Sequence, residues 1–292
     1  MKTHAKPVVH RRTTLFPPRT ILVPHDFSDC SAAALAAAKH LATRFASRLE
    51  LAHVDAGPPP ALSQGAMDAF TGPAYAAYQA GLRTDLEAAR AGCKRAAAHM
   101  VEGAPERVVP RLAADSTADL IVMGTHGRRG LRRLALGSVA EAAVHSCRVP
   151  VLVTRTAPGP RWPRRILAPY RMAPYADEAL KTAARWARFL GAELGILNVE
   201  EDGGWKPTVR EDLRCHAESV LEDSDPTPDW HWRGGRPFEQ IVAVAEEKAY
   251  DLVVIAAHAR GRLRDALIGT TAERVIRCSP VPVLAVPSQS AR

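Results

Sequence analysis

A chain of 292 residues is long enough for two ordinary domains, and its 47% hydrophobic and 24% charged residues are the balance of a globular protein that buries a core. No run approaches the ~20 consecutive apolar residues of a membrane helix, and the five cysteines, scattered and without a CxxC pair, fit reduced thiols in a cytoplasmic protein rather than a disulfide frame or a metal site. The net charge of +8 allows a polyanion partner, but aromatic residues are only 5% and no run interleaves them with basic ones, which argues against stacking on nucleic acid.

In chain order, residues 1–18 are basic and have neither the apolar core nor the small-residue cleavage site of a secretory signal. They read as a flexible tail, while their lack of acidic residues also fits an organelle-targeting peptide. An apolar strand is predicted at Ile21–Pro24, an alanine-rich helix at about 29–47 and a second strand at Leu49–Val54. Residues 56–70 are either a cover over an adjoining site or a bulge, and a helix follows near 72–95. Residues 96–101 (AAAHMV) are ambiguous, since alanine is a poor strand former. Pro105 opens a helix, where its missing N–H costs nothing. A fourth strand at Leu120–Met123, a glycine- and arginine-rich loop, a short helix and a last strand within 149–155 complete the unit.

Residues 156–163 (TAPGPRWP) read as a linker, and then the order repeats. Strands are predicted at Ile166–Pro169, Glu193–Val199, 229–233, Leu252–Ile255 and within 281–287, with helices at 175–190, near 207–222 and from Pro237. The letters repeat as well. The segment starting at Gly103 aligns without a gap to the segment starting at Gly235. Pro105 matches Pro237, Asp119-Leu120 matches Asp251-Leu252, Gly137 matches Gly269, and Glu141 matches Glu273. RTILVPHD (19–26) likewise matches RRILAPYR (164–171). Such self-similarity marks two copies of one domain, at 19–156 and 164–287, with a tail at 288–292. Strands alternating with helices, some nearly all apolar, specify an α/β fold of two open, doubly wound, five-stranded parallel sheets. The apolar end strands of both copies need a partner or cover.

In such sheets ligands bind beyond the carboxyl ends of the strands, where the winding reverses. The loop after strand four of the first copy reads GTHGRRGLRRLALGSVAE, framed as Gly124-x-x-Gly127, nine residues, Gly137-Ser138. Glycines let backbone N–H groups converge on an anion, and a helix N-terminus adds its own donors, so phosphate is the natural occupant. Arg128 and Arg129, with Arg132 and Arg133, either flank that phosphate or form a solvated face. A ligand-free reading stands beside this one, because Ser138-x-x-Glu141 and Thr270-x-x-Glu273 both spell capping boxes.

The whole chain resembles the universal stress protein family in its tandem form, on ILVPHDFS at the first strand, ADLIVMGTHG before the loop, and the GxxG, nine residues, G[S/T] frame. The resemblance implies an adenine-nucleotide α-hydrolase-like fold that binds ATP, with or without Mg2+. By position, Asp26 looks like the aspartate that contacts the nucleoside and Val54 like the valine beside adenine, with Pro24 next to them. Met123 and Gly124 lie toward the ribose, and Gly127, Gly137, Ser138 and Val139 match phosphate-holding positions. Val54 and Met123 could equally be core, and Asp26 a helix cap. In the family the end strands pair between subunits, so in a tandem chain they can pair with each other as an internal pseudo-dimer. Dimerisation of the whole chain stays open.

The second copy departs from this pattern. Arg171 replaces Asp26, while Ala256 and Ala259 replace Gly124 and Gly127; Gly269-Thr270 persists. Alanine is strained where positive φ is needed, and arginine accepts no hydrogen bond. Only the first copy is therefore expected to bind ATP. The second is structural or serves protein partners, or holds another anion on Arg171, Arg260, Arg262 and Arg264. No GxxxxGK[ST], SGGxDS or HIGH motif is present, no catalytic residue stands out, and His126 and His258 read as turn residues facing solvent. The expected function is a cytoplasmic, nucleotide-dependent stress regulator. An ATP-independent adaptor and a slow ATPase are the alternatives.

Overall fold

The computed structural model describes residues 16–57, 72–93, 95–125, 136–201, 206–257 and 270–287. In the first half these form β1 (Thr20–Pro24), α1 (Asp29–Phe45), β2 (Arg48–Asp55), α2 (Pro73–Arg90) and β3 (Ala96–Glu102). Helix α3 (Pro105–Asp115), β4 (Leu120–Gly124), α4 (Ser138–Ser146) and β5 (Val151–Thr154) follow. The second half repeats them as β6 (Arg165–Pro169), α5 (Pro174–Leu190), β7 (Glu193–Glu200), α6 (Pro207–Val220) and β8 (Asp229–Gly234). It ends with α7 (Pro237–Glu247), β9 (Leu252–Ala257), α8 (Thr270–Cys278) and β10 (Val283–Pro287).

The two parallel five-stranded units are halves of one ten-stranded sheet, ordered β3-β2-β1-β4-β5-β10-β9-β6-β7-β8. The join is antiparallel, unlike the other strand pairs among the described residues, with Leu284 opposite Leu152 and Val283 opposite Val153. The apolar ends of the two copies thus cover each other, as an internal pseudo-dimer requires.

Helices α1, α2, α5 and α6 cover one face, where Ala34, Ala37, Ala38 and Leu41 of α1 recur at helical spacing and are fully buried. Helices α3, α4, α7 and α8 cover the other, with Val109, Val144, Val244 and Val275 buried beneath them. The first cluster crosses the pseudo-twofold: Phe45 at the end of α1 meets Trp186 and Phe189 of α5 at ring distances of 5.3 and 5.2 Å.

Matched residues do matched work. Asp119, just before β4, accepts from the amides of Arg19 and Thr20 at 2.9 and 3.1 Å, and Asp251 does the same for Arg164 and Arg165. Each aspartate pins the entry of its copy's first strand beside the fourth. The alanine-rich stretch at 96–101 is a strand, in register with β2 from Leu49–Ala96 to Asp55–Glu102; pairing overrides its low propensity. The connecting segment 156–163 is packed down: Trp162 is buried, and its Nε1 donates to the Asp251 carbonyl at 2.7 Å.

Candidate functional site

Strand β1 lies between β2 and β4, and the winding runs opposite ways from it, so the crevice opens between the carboxyl ends of β1 and β4. Pro24 ends β1, half-buried and in register with Ala52. Asp26, two residues on, accepts at Oδ1 from the Ser28 amide (3.1 Å) and the Ser28 hydroxyl (2.6 Å). Ser28 is the N-cap of α1, its Oγ accepting from the Ser31 amide. Asp26 is therefore not the cap but the brace of the cap, and that turn fixes where its carboxylate stands.

A feature not anticipated from the sequence adjoins it. Phe27 takes φ 63°, a conformation rare for an aromatic residue and concentrated at functional sites. Its ring lies 5.1 Å from His25 and 4.8 Å from His53. The His53 Nδ1 is 2.7 Å from the His25 carbonyl oxygen; a carbonyl only accepts, so that nitrogen carries the proton. Burial holds His25 below the usual histidine range, with a backbone bond at Ser31 and the Asp26 charge pulling the other way. The only advance signal was a histidine near the carboxyl end of each of the first two strands.

At the end of β2, Val54 is half-buried and packs against the core cluster that holds Met123, on the α3/α4 side of the sheet. Asp55, buried on the opposite side, accepts from the Tyr75 hydroxyl (2.6 Å), Gln79 Nε2 (3.0 Å) and the Gly57 amide (3.0 Å). Burial pushes the Asp55 carboxyl up, but these donors outweigh it and hold it below the usual carboxylate value. Tyr75 is pushed up to about 12, by burial first and then by Asp55. The pair ties α2 to the rim of the crevice.

Met123 is buried in β4 and paired with Val153, so its side chain is core. Gly124 corrects the sequence reading. It is an ordinary strand residue beside Thr154, not a positive-φ position. A Cβ there would stand 2.9 Å from the Cys30 backbone and Cβ, so packing of α1 against β4 demands the glycine. Ala256, its counterpart, is likewise a strand residue, buried in β9 opposite Val286 and without positive φ, so the alanine there is not strained.

The loop leaves at Thr125 and returns at Gly137, whose amide donates to the Thr125 carbonyl at 2.7 Å. The two ends of the glycine frame therefore meet. Gly137 is itself the N-cap of α4, which makes Ser138, exposed, the first helical residue, followed by half-buried Val139. The capping box expected at Ser138 and Glu141 is one residue out of register, and among the described residues no side chain caps this helix. Its first amides are left for another acceptor. Gly127, Arg128, Arg129 and His126 lie outside the described residues, as do Arg132, Arg133 and the stretch 58–70 of the suspected cover.

The second copy reproduces the scaffold of this crevice and not its brace. The Tyr170 amide donates to Leu197 at 2.8 Å, and Asn198 Nδ2 donates to the Tyr170 carbonyl at 2.8 Å, repeating the bonds of His25 and His53. Arg171, exposed, stands for Asp26, exposed Met172 for Phe27, and α5 is capped by Ala173 with no side-chain bond. Ala259, Arg260, Arg262, Arg264, His258 and Gly269 lie outside the described residues. Among the described residues, no three His, Cys, Asp or Glu side chains are grouped to hold a metal, and no helix is long and apolar enough to cross a membrane.

Comparison with known proteins adds to this geometry. The profile of the Universal stress protein family matches residues 18–155 and again 163–287. A universal stress protein of Methanocaldococcus jannaschii is 32% identical over 139 residues, covering 47% of this chain and 82% of that one. The crystal structure of a universal stress protein from Archaeoglobus fulgidus superposes with a TM-score of 0.72 at 25% identity, covering 92% of this chain and 98% of that one. A universal stress protein structure from Pseudomonas aeruginosa, at 18% identity and a TM-score of 0.63, covers 93% and 94% and shares the fold.

Proposed function

The chain belongs to the universal stress protein family, and from that premise we propose that its first half binds ATP, with Mg2+, while its second half does not. The observation that carries this reading is the contrast between the crevices. In the first, Asp26 is braced at the switch point, Val54 stands at the end of β2, and the glycine frame closes from Gly124 to Gly137 with the uncapped amides of α4 beside it. In the second, the acceptor is replaced by Arg171, which can only donate.

Pro24, Met123, Ser138 and Val139 complete the first site. The adenine lies toward Pro24 and Val54, the ribose toward Asp26 and Gly124, and the phosphates on Gly127, Gly137, Ser138 and Val139, with Arg128 and Arg129 flanking. Among the described residues no group is placed as a nucleophile or general base, and nucleotide occupancy rather than turnover is the signal we propose. The protein acts in the cytoplasm as a nucleotide-dependent regulator in the stress response, and its partners are proteins that read the occupied state.

Calorimetric titration of ATP with magnesium into nucleotide-stripped protein tests this. One site in the wild type, lost on Gly127→Ala with Gly137→Ala, is the expected result. A second site of comparable affinity at physiological ionic strength would show that the second half also binds ATP and overturn this reading. Absence of binding would make the protein an ATP-independent adaptor.

A further inference from the structure

Beyond the carboxyl end of β7, where α7 and α8 begin, the second half holds a cavity of about 340 Å3. Glu201, Arg236, Phe238, Thr271 and Arg274 supply its side chains. The gapless match between the copies shows which of these are peculiar to this half. Arg236 stands where the first copy has Ala104, Phe238 where it has Glu106, Thr271 where it has Val139, and Arg274 where it has Ala142. Two neutral positions have become cationic, an acid has become a ring, and an apolar side chain has become a hydroxyl, all on one cavity. Glu201, which follows β7 as Ala56 follows β2, returns only part of that charge.

The arginines are available for a ligand. Arg274 lies with its guanidinium 5.0 Å over the Phe238 ring, an arrangement that orients the planar fork without using its donors. On the same helix it is Arg277 that pairs with Glu273; Arg274 forms no ion pair among the described residues. Arg236 has Glu239 at 3.3 Å, both largely exposed, a contact that solvent screens and that a bound dianion displaces at little cost.

We propose that this cavity binds a phosphorylated small molecule, its phosphate held by Arg236 and Arg274 with the Thr271 hydroxyl as a further donor. Guanidinium groups match phosphate oxygens in bidentate geometry. The site belongs wholly to the second half and stands whether or not the first half binds ATP.

Pyrophosphate, without magnesium, is the probe, titrated calorimetrically at low ionic strength. The chain carrying Gly127→Ala and Gly137→Ala is used so that the first-half loop contributes nothing. One site is expected, weakened at least about tenfold by Arg236→Ala with Arg274→Ala. Because both side chains are exposed, the unfolding temperature should hold, which separates loss of ligand from loss of fold. In the wild-type chain the same two substitutions should remove one site. Equal affinity with and without the arginines, or no heat at all in the parent, would overturn the proposal.

Discussion

Tyr250 lies across Gly195 so closely that a Cβ on the glycine would stand 1.9 Å from the tyrosine hydroxyl and 2.4 Å from Cζ. The hydroxyl is 2.7 Å from His231 Nε2, and the Arg165 guanidinium lies 4.7 Å over the ring. In the first half the corresponding place in β2 holds Glu50, bonded to His99 and Arg48. The two copies thus fill one site under the sheet by different means, a carboxylate in one and a ring over a bare backbone in the other.

Gly195→Ala should therefore destabilise by at least the upper end of the about 1–3 kcal/mol range for overpacking. Adding Tyr250→Phe leaves Cζ in the way and should not rescue. Tyr250→Ala removes the obstacle, so its combination with Gly195→Ala should cost less than the sum of the single changes in urea unfolding.

Gly124→Ala drives a methyl group into the Cys30 backbone and should cost about 1–3 kcal/mol, read from the thermal midpoint. The backbone is the obstacle, so Cys30→Ala should not restore stability. A full rescue would place the strain elsewhere.

Asp26→Arg copies Arg171 into the first half. ATP affinity should fall at least about tenfold, while stability drops by only about 1 kcal/mol for the lost bonds to Ser28. Unchanged affinity would remove Asp26 from the site.

Burial holds both His25 and His231 below the usual histidine value, against the opposing charges of Asp26 and Asp229. Below about pH 6.5 the unfolded chain takes up protons that the native state refuses, so stability falls as the pH drops through that window. The urea midpoint should decline from pH 7.5 to pH 5, and His25→Gln and His231→Gln should each flatten the decline. Slopes identical to the wild type in both variants would refute the assignment.

Tyr75→Phe removes a 2.6 Å bond to Asp55 and should cost about 1–3 kcal/mol, since a buried carboxylate loses a donor. The depressed Asp55 carboxyl contributes stability above its unfolded value of about 3.9 that is lost as pH falls through its lower native value. The variant's acid transition should move to higher pH, as circular dichroism would follow.

The internal repeat carried most of the fold. Strand and helix order and the parallel winding follow from matched apolar runs and from Asp119-Leu120 and Asp251-Leu252, while the partnership of the two end strands comes from the family resemblance, the letters saying only that those edges need cover. What stayed illegible depends on distant atoms meeting. Residues 96–101 are a strand only because β2 supplies the pairing. Gly124 looks like a loop glycine until Cys30 is beside it, and the capping register of α4 is set by the Gly137–Thr125 bond rather than by the letters S-x-x-E. Arg236 precedes α7 as its N-cap residue and Arg274 lies on α8, and nothing in their spacing announces a common cavity.

The β5–β10 join has a consequence for synthesis. Strand β10 follows every other element in chain order, so β5 has an unsatisfied edge of four apolar-rich residues throughout the making of the second copy. During that interval the nearest complementary strand is the β5 or β10 of another nascent chain, and such a mismatch would give an exchanged dimer. The tandem arrangement answers this by tethering: the right partner arrives on the same polypeptide, at an effective concentration no separate chain can match.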